Sequence, residues 1–482
     1  MLADQIFKAN DIRGVVGGPR PEWDPAGARA LGSAYGELLG PGHTVVVSRD
    51  MRASGPALEQ AFAEGVTGQG VNVIRIGLAA TDELWFASGF LDLPGVQFTA
   101  SHNPAEYNGV KFCQAQAQPV TPEFLVELAD LARRHDRGEA DPPRGAAPGA
   151  QSRRDLSAEY AACLHSLVPL EGIRRLKVVV DAGNGMAGRT VPAVLATADV
   201  ELVGLYLDLD GSFPNHQPSP LEPENLVDAQ RAVRRQGADL GLVFDGDADR
   251  CVVIDERGEV VPASAIAALI AVAELAREPG ATIVVNTIVS HAVRQIVAEQ
   301  GGHVVESRVG HTYVKAAMAR HRAIFGGEHS AHYYFRDFWG ADTGLLAGLH
   351  VLSQLGRAAR PLSQLVARFT RFAASGEINS TVRDAAATMA VVAAAFAGRG
   401  EARHDDGLKI VGPDWWFSLR ASNTEPLLRL NVEAEAADRM AAVRDDVLRL
   451  IHEHEAGPTS LADSGGPSGP VASSKSAEQE VS

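Results

Sequence analysis

Short apolar runs alternate with longer segments of helical periodicity along most of this chain. The runs at 178–180 and 283–285 consist of Val and Ile, which indicates buried strands. Each is followed by a segment whose apolar residues recur at the spacing of one helix face. This alternation predicts an α/β architecture with mixed sheets.

Three predicted strands end in loops of small polar residues and lead into a helix or a turn. Their sequences are GVQFTASHNP from Gly95, LKVVVDAGNGMAG from Leu176 and ATIVVNTIVSHAV from Ala281. This spacing indicates a unit that is used three times. Beyond Gly376 the pattern changes to strand-like segments around one helical stretch, followed by a closing helix, which predicts a smaller α+β domain.

Changes in composition divide the chain further. Residues 136–154 are rich in Pro, Gly, Ala and charge and are predicted to be a linker. Residues 457–482 are rich in Gly, Pro and Ser and nearly lack large apolar residues, so we expect a disordered tail. The predicted domains are therefore 1–140, 155–256, 257–372 and 373–456.

Composition excludes several classes of function. The 482 residues carry a formal net charge of −16, which argues against nucleic acid or an anionic membrane as a main partner. Three widely spaced cysteines and the lack of a signal peptide predict a cytoplasmic protein. The longest apolar stretch, 385–398, is short and Ala-rich and predicts a buried helix.

A phosphate substrate would need local cations in this acidic protein. The candidates are Arg13, Arg49, Arg52, Lys111, Arg250, Lys315, Arg420 and Arg429.

The sequence DGDADR combines three alternate carboxylates with one guanidinium. Alternate residues of an extended segment point the same way, so Asp245, Asp247 and Asp249 can converge on one hard cation while Arg250 faces an anion. An EF-hand would place Glu256 at its twelfth position. However, Arg250 stands where that motif needs glycine, and the flanks are predicted strands. A solvated acidic turn remains the other alternative.

Gly183, Gly185 and Gly188 match a dinucleotide-binding fingerprint directly after a predicted strand. Asp181 and Asn184 would put polar groups where a pyrophosphate approaches, and this unit does not open the chain. We therefore favour tight turns over NAD binding as the use of these glycines.

Three further loops carry candidate chemistry. TASHNP holds Ser101 on a rigid turn suited to a nucleophile or phosphate carrier, although an ordinary turn would also explain it. A hydrolase pair with His102 is disfavoured, since adjacent residues seldom face each other and no G-x-S-x-G elbow is present. Downstream, Lys111 is a candidate proton-transfer group or phosphate counter-charge.

GEHSAH places Glu328, Ser330 and His332 on alternate positions, which suits hydrogen bonding to sugar hydroxyls. Its histidines could instead bind zinc, but neither cysteine partners nor an H-E-x-x-H helix supports this. RASNTEP, at 420–426, combines a guanidinium, hydroxyls and an amide in one turn, which makes an anion cradle or simply a stabilised turn.

Together these motifs resemble one family, the α-D-phosphohexomutases, and within it the bacterial phosphomannomutase/phosphoglucomutase group. The motifs that carry the resemblance, in chain order, are FKANDIRG from Phe7, SRDMRAS, TASHNP, NGVKF, DAGNGMAG, DGSFPNH, DGDADR, VGHTYVK, GEHSAH and RASNTEP. The resemblance covers nearly everything before the tail. It implies four domains around a central cleft, of which the first three are related α/β units and the last is a small domain that closes over a hexose phosphate.

The resemblance also implies roles for individual residues. Ser101 would be a phosphoserine, and Mg²⁺ would be held against its phosphate by Asp245, Asp247 and Asp249. A hexose 1,6-bisphosphate would be the intermediate and activator. The transfer site would be lined by Arg13, His102, Lys111 and Arg250. The sugar and its second phosphate would be bound by His311, Glu328, Ser330, His332, Arg420, Ser422, Asn423, Thr424 and Arg429.

Two departures from the family pattern bear on the choice of sugar. Alanine occupies position 331, where glycine is frequent, and the loop VNTIVS lacks a lysine that related enzymes often carry. The motifs favour mannose over glucose, which leaves a phosphoglucomutase as the nearest alternative. A metal-dependent sugar phosphatase and a sugar-phosphate sensor are the more distant ones.

Overall fold

The computed structural model describes residues 1–8, 10–140, 147–422 and 426–456. Its contacts divide these residues into two compact units, one formed by 1–374 and 433–437 and the other by 375–432 and 438–456. The first unit contains three α/β domains and the second contains the smaller C-terminal domain. The predicted disordered tail lies outside the described residues.

The first domain is a six-stranded mixed sheet in the order β1-β5-β4-β2-β3-β6 with four helices. Its elements are β1 (Ile12–Val15), α1 (Pro25–Leu39), β2 (Thr44–Arg49), α2 (Gly55–Gly68), β3 (Asn72–Leu78), α3 (Thr81–Leu91), β4 (Gly95–Phe98), β5 (Tyr107–Cys113), α4 (Pro122–Asp136) and β6 (Gln151–Arg153). Strand β6 pairs in parallel with β3, so part of the segment predicted as a linker belongs to this sheet.

The second and third domains each contain a five-stranded sheet, in the orders β11-β10-β9-β7-β8 and β13-β12-β14-β15-β16. The second has α5 (Ser157–Leu167), β7 (Leu176–Asp181), α6 (Ala187–Leu195), β8 (Val200–Leu205), α7 (Val227–Gln236), β9 (Leu240–Phe244), β10 (Cys251–Asp255) and β11 (Val260–Val261). The third has α8 (Ala263–Arg277), β12 (Thr282–Asn286), α9 (His291–Glu299), β13 (His303–Ser307), α10 (His311–His321), β14 (Phe325–Gly327), β15 (Tyr333–Phe335), β16 (Ala341–Asp342), α11 (Gly344–Arg357) and α12 (Leu362–Val366).

The three sheets repeat one arrangement of four strands. In each, a central strand (β2, β7 or β12) pairs in parallel with one strand on one side (β3, β8 or β13) and with a second strand on the other (β4, β9 or β14). That second strand then pairs antiparallel with the next one along the chain (β5, β10 or β15). The loops TASHNP, DGDADR and GEHSAH follow β4, β9 and β14, so they occupy equivalent places at the carboxyl ends of equivalent strands.

The predicted threefold unit is therefore present, but the prediction from sequence matched the wrong loops of the three domains with one another. The loops after β7 and β12 correspond to SRDMRAS after β2, and not to TASHNP after β4. The error arose because both neighbouring parallel strands of each domain end in small polar residues. Composition alone does not distinguish one from the other.

One hydrophobic core runs through all three domains of the first unit. It contains Phe86 of α3, Tyr160 of α5 and Phe338, whose side chains are buried. The rings of Phe86 and Tyr160, from the first and second domains, lie 5.7 Å apart. Burial of each such ring stabilises the fold by about 1.5–3 kcal/mol, so this shared core fixes the relative positions of the loops.

The C-terminal unit is built on an antiparallel sheet in the order β17-β21-β20-β19-β18. Its elements are β17 (Ala373–Thr381), α13 (Ala385–Ala395), β18 (Glu401–Arg403), β19 (Leu408–Val411), β20 (Trp415–Ala421), β21 (Leu427–Ala434) and α14 (Ala437–Ala456). This confirms the predicted α+β domain.

The prediction of a buried helix at 385–398 is wrong in part. The helix α13 forms, but only Thr388 and Val392 within it are buried, and Val391 is 36% exposed. The alanines that suggested burial extend around the helix, whereas only residues at i and i+4 face the sheet. Among helices in the described ranges, none has the length and apolar character that a bilayer crossing needs.

Candidate active site at the ends of three strands

The DGDADR loop is a turn between the antiparallel strands β9 and β10, whose ends pair Phe244 with Cys251. Ala248 has φ of 61°, a left-handed conformation that costs a non-glycine residue about 1–2 kcal/mol. The three aspartates therefore converge through a strained turn rather than along an extended segment. Their carboxylates are buried and offer oxygens within 4.8 Å of one another.

The structure brings Ser101 to this loop. The hydroxyl of Ser101 donates a hydrogen bond of 2.9 Å to Asp245 Oδ2, and Arg250 Nη2 lies 3.4 Å from the same hydroxyl oxygen. Ser101 also has a left-handed backbone, with φ of 49°. Strained backbone at two facing loops is typical of functional sites that the surrounding fold over-determines.

Adjacent Ser101 and His102 do contact each other, contrary to the sequence expectation. The left-handed turn at Ser101 brings its Oγ to 3.2 Å from His102 Nδ1. However, Arg250 Nη2 also donates to Nδ1, so this nitrogen accepts a hydrogen bond from a permanent cation. Burial, followed by the charge of Arg250, lowers the pKa of His102 to about 2, which keeps its imidazole neutral.

Lys111, on β5, connects the first domain to the carboxylates of the second. Its Nζ donates to Asp247 Oδ2 and to Asp249 Oδ2, both at 2.7 Å. Although burial alone would lower the pKa of Lys111, the two carboxylates raise it above its usual value. The ammonium therefore offsets much of the negative charge of the loop.

The carboxylate cluster fits a hard divalent cation. Within the part of the chain that the structure describes, Asp247 Oδ1 and Asp249 Oδ1 are buried and accept no hydrogen bond. Buried carboxylate oxygens without partners are unfavourable unless a ligand binds them. All the donor atoms are oxygens, which is the ligand type that Mg²⁺ prefers. Asp245, Asp247 and Asp249 are therefore the residues that would hold a metal ion.

The carboxylates differ in their ionisation. Burial and the neighbouring charge of Asp249 raise the pKa of Asp245 to about 7. Burial would also raise the pKa of Asp249, but Lys111 and His332 lower it well below the usual range. Asp249 is therefore the anionic member of this pair.

The GEHSAH loop meets the DGDADR loop through backbone and side chains. Arg250 and His332 form an antiparallel backbone bridge, and His332 Nε2 lies 3.5 Å from Asp249 Oδ1. Ser330 Oγ lies 3.0 Å from His332 Nδ1. Burial would lower the pKa of His332, but the nearby carboxylate of Asp249 raises it. The sugar loop predicted from sequence is thus adjacent to the predicted metal loop.

Glu328 is 2% exposed and is fully engaged by protein groups. Its carboxylate accepts hydrogen bonds from Tyr334 Oη at 2.5 Å, Asn286 Nδ2 at 3.0 Å and Gly310 N at 3.2 Å. A hydroxyl of a bound sugar would have to share or replace one of these donors. Asn286 lies at the start of the VNTIVS loop, so a side-chain amide of this loop contacts Glu328, the residue predicted to bind the sugar.

Two other predicted residues lie around the same centre. Arg13, on β1, donates to Asn103 Oδ1 at 2.7 Å and to Asp11 Oδ2 at 2.8 Å, which holds it beside the TASHNP loop. His311 is exposed at the start of α10.

The predicted phosphate-binding residues belong to the C-terminal unit. Within that unit, Arg420 Nε lies 3.6 Å from Asp406 Oδ2, and Arg429 Nη1 donates to Glu377 Oε1 at 3.2 Å. The amide of Ser422 donates to the carbonyl of Leu427 at 2.8 Å. The other two predicted residues, Asn423 and Thr424, lie outside the described residues.

Thr81 is a site residue that sequence reasoning missed. Its hydroxyl donates to Asp247 Oδ2 at 2.6 Å, and its amide donates to the carbonyl of Asp247 at 3.0 Å. Thr81 begins α3, and the only available signal was its position as the first residue of a helix after a strand. That signal does not reveal a contact with a loop of another domain.

Comparison with known proteins agrees with this geometry. Successive segments match phosphoglucomutase/phosphomannomutase alpha/beta/alpha domains I (4–139), II (158–258) and III (262–372) and the C-terminal domain (377–450). The chain is 39% identical over 455 residues to a phosphomannomutase of Salmonella montevideo, covering 92% of this chain and 98% of the relative. It is also 39% identical over 431 residues to a protein of Xanthomonas campestris pv. campestris (strain ATCC 33913) named phosphohexose mutases, covering 89% and 94%.

A solved structure supports the same assignment. The crystal structure of a phosphoglucomutase/phosphomannomutase family protein from Burkholderia thailandensis is similar to this chain, with a TM-score of 0.83 and 33% identity. The match covers 93% of this chain and 97% of the solved one. This chain belongs to the phosphoglucomutase/phosphomannomutase family.

Proposed function

We propose that this chain is a phosphomannomutase that interconverts mannose 1-phosphate and mannose 6-phosphate, with Ser101 as the carrier of the phosphoryl group. The observation that carries the proposal is the hydrogen bond of 2.9 Å between the Ser101 hydroxyl and Asp245, within a cluster of three buried carboxylates. Relatives named phosphomannomutase, at 39% and 38% identity over most of the chain, support mannose as the sugar.

The reaction consists of two transfers. In the first, the bond between phosphorus and Ser101 Oγ breaks while phosphorus bonds to the free hydroxyl oxygen of the hexose phosphate. The proton of that hydroxyl passes to a basic group of the site. Lys111, whose pKa the two carboxylates raise, is an ammonium and would act in proton transfer only as an acid, or as a counter-charge to the phosphate. The hexose 1,6-bisphosphate then reverses its orientation, and its other phosphorus bonds to Ser101 Oγ while its bond to the sugar oxygen breaks. That sugar oxygen takes up the proton released in the first transfer. Mannose 1-phosphate and mannose 6-phosphate are thereby exchanged without net loss of phosphate.

Each neighbouring side chain has a defined task in this proposal. Mg²⁺ held by the three aspartates would make phosphorus more electrophilic and offset charge during transfer. Arg250 donates to Asp245 at 2.9 Å and holds Ser101 and His102 together from one side. His102 is neutral and therefore adds no positive charge to the site. Its role in this proposal is to form hydrogen bonds. Arg420 and Arg429 would bind the phosphate that does not react.

The phosphate carrier is tested by one assay with two readouts. The full chain is incubated with Mg²⁺, mannose 1-phosphate and a trace of glucose 1,6-bisphosphate, and mannose 6-phosphate and free phosphate are measured together. We expect mannose 6-phosphate and almost no free phosphate. Mass spectrometry should locate one phosphate on the peptide that contains Ser101.

Two variants complete the test. Ser101→Ala should lose mutase turnover, whereas Ser166→Ala, at an exposed serine of α5 that donates only to a backbone carbonyl, should retain it. Turnover in Ser101→Ala would refute the proposed carrier. Release of free phosphate without mannose 6-phosphate would instead identify a phosphatase, and binding without either product would identify a sensor. Faster turnover of glucose 1-phosphate in the same assay would identify a phosphoglucomutase.

A further inference from the structure

Arg52 lies in SRDMRAS, in the loop after β2, and its side chain has no exposed surface. Composition suggested that it would help to bind phosphate. However, all five N–H groups of its guanidinium are engaged within the protein. Nε donates to Asp50 Oδ2 at 3.2 Å, and the remaining four N–H groups donate to backbone carbonyls. Arg52 is therefore not available to a substrate.

The four carbonyls all belong to the segment that carries Ser101. Nη2 donates to the carbonyls of Ser101 at 2.8 Å and Asn103 at 2.7 Å. Nη1 donates to those of Pro104 at 2.7 Å and Tyr107 at 2.9 Å. One rigid planar group thus fixes the path of the chain from the serine to the start of β5.

The second domain closes over this arrangement. The ring of Phe213, in DGSFPNH, lies 5.1 Å from Arg52 Cζ in a cation–π contact. A Cβ at Gly211 would lie 2.7 Å from Arg52 Cα, so the two backbones are in close contact there. The loop that holds the phosphoserine segment is therefore packed against the domain that holds the carboxylates.

We propose that Arg52 is a positioning residue for phosphoryl transfer, which holds the left-handed turn at Ser101 in register with the DGDADR loop. This inference rests on the proposed role of Ser101 as the phosphate carrier. The left-handed backbone at Ser101 is strained and needs surrounding contacts to persist. Because Ser101 must return to one position after each half-reaction, loss of these contacts should affect the transfer step and not substrate binding.

The test compares Arg52→Lys with Asp50→Asn. Lysine keeps the charge but cannot bridge four carbonyls, so we expect kcat to fall by about 10²-fold, as for a misplacement of about 1 Å, with KM changed by less than about threefold. Asp50→Asn keeps all four carbonyl contacts of Arg52 and removes only its charged partner, so a smaller fall in kcat is expected. Arg75→Lys, which removes the guanidinium from a partly buried ion pair with Glu59 in the same domain, is the matched control and should retain kcat.

A second measurement is independent of the reaction. Hydrogen–deuterium exchange of unphosphorylated protein should accelerate in the peptide that spans 99–109 in Arg52→Lys, and not in Arg75→Lys. If Arg52→Lys does not fold, Asp50→Asn must show the smaller fall in kcat with KM changed by less than about threefold, and a smaller acceleration of exchange at 99–109, or the inference fails. Normal kcat in folded Arg52→Lys, or parallel changes in kcat and KM, would also overturn it. Absence of phosphate on Ser101 in the active wild type would refute the proposed carrier, whereas the exchange result would still report on the loop.

Discussion

Ser101 and Asp245 are joined by a hydrogen bond of 2.9 Å although 144 positions separate them in the sequence. The backbones that carry them are equally close, because a Cβ placed on Gly246 would lie 2.5 Å from the carbonyl oxygen of Ser101. The loops after β4 and β9 therefore meet through main chain as well as side chain. The position of the serine relative to the carboxylates depends on the absence of a side chain at 246.

Gly246→Ala should separate these two loops. The added Cβ would also lie 3.4 Å from Cγ of Pro218. The backbone of Gly246 is itself packed against Gly185, where a Cβ would lie 2.9 Å from Gly246 Cα, so the loop cannot move away freely. We expect turnover to fall by about 10²-fold, because displacement of about 1 Å between reacting groups has that effect. Steady-state kinetics with mannose 1-phosphate would measure this loss.

Gly68→Ala is the matched control for this substitution. Gly68 lies at the end of α2, and a Cβ there would contact no atom within 4 Å. Because alanine also has the better helix propensity, this variant should be active and slightly more stable. Wild-type turnover in Gly246→Ala would show that the contact between the loops does not limit the reaction.

Lys111→Met should reveal the charge balance of the carboxylate cluster. Removal of the ammonium leaves Asp247 and Asp249 buried without their main counter-charge, and breaking a buried pair in this way costs about 3–5 kcal/mol. Mg²⁺ would replace that charge. The rise in Tm between EDTA and Mg²⁺ should therefore be larger for Lys111→Met than for the wild type.

The control for this prediction is Lys177→Met. Lys177 pairs with Glu201 at 3.0 Å, but both side chains are partly exposed, and such pairs contribute little to stability. Its Tm should respond to Mg²⁺ as the wild type does. An equal response in Lys111→Met would mean that the cation and the lysine do not interact with the same carboxylates.

The sequence predicted which residues come together at the site better than it predicted the contacts that hold them in place. Ser101, the three aspartates and the GEHSAH loop could be found because each has polar groups at a strand end, where α/β sheets bind ligands. Arg52 was wrongly predicted to bind phosphate. A buried arginine that donates to backbone carbonyls has the same neighbouring sequence as one that binds phosphate. Thr81 was missed because its partner belongs to another domain.

Backbone conformation explains the remaining differences. The alternate aspartates suggested an extended segment, but Ala248 is left-handed and turns the loop. Ala331 stands where glycine is frequent in related enzymes, and it is also left-handed, with φ of 62°. A non-glycine residue in this conformation cannot be anticipated from propensity, since the fold around it supplies the stabilising contacts.

Arg420→Gln should weaken binding of the non-reacting phosphate. Loss of a charge-assisted hydrogen bond costs about 1.5–3 kcal/mol, so we expect KM to rise by about tenfold or more. The matched control is Arg449→Gln, at an exposed arginine of α14 that pairs with Glu453. Kinetics over a range of mannose 1-phosphate concentrations would measure KM for both. An unchanged KM in Arg420→Gln would remove this residue from the predicted phosphate site.

Asp82→Asn should change how stability depends on pH. Asp82 lies in the first turn of α3 and joins three domains, since its Oδ2 accepts hydrogen bonds from Tyr160 Oη at 2.7 Å and Thr343 Oγ1 at 2.6 Å. Burial raises the pKa of its carboxyl to about 8 in the folded protein, above the ordinary value of 3.8. Between these two values the unfolded chain ionises while the folded carboxyl stays protonated, so a raised pKa destabilises the fold as pH increases.

Asparagine does not ionise, and the variant Asp82→Asn should therefore gain up to about 1.4 kcal/mol of folding stability relative to the wild type for each pH unit between 5 and 7. Urea unfolding at pH 5, 6 and 7 would measure this trend, with Asp130→Asn, at a side chain that is 70% exposed, as the control. A difference between Asp82→Asn and the wild type that is constant with pH would mean that Asp82 is ionised in the folded protein.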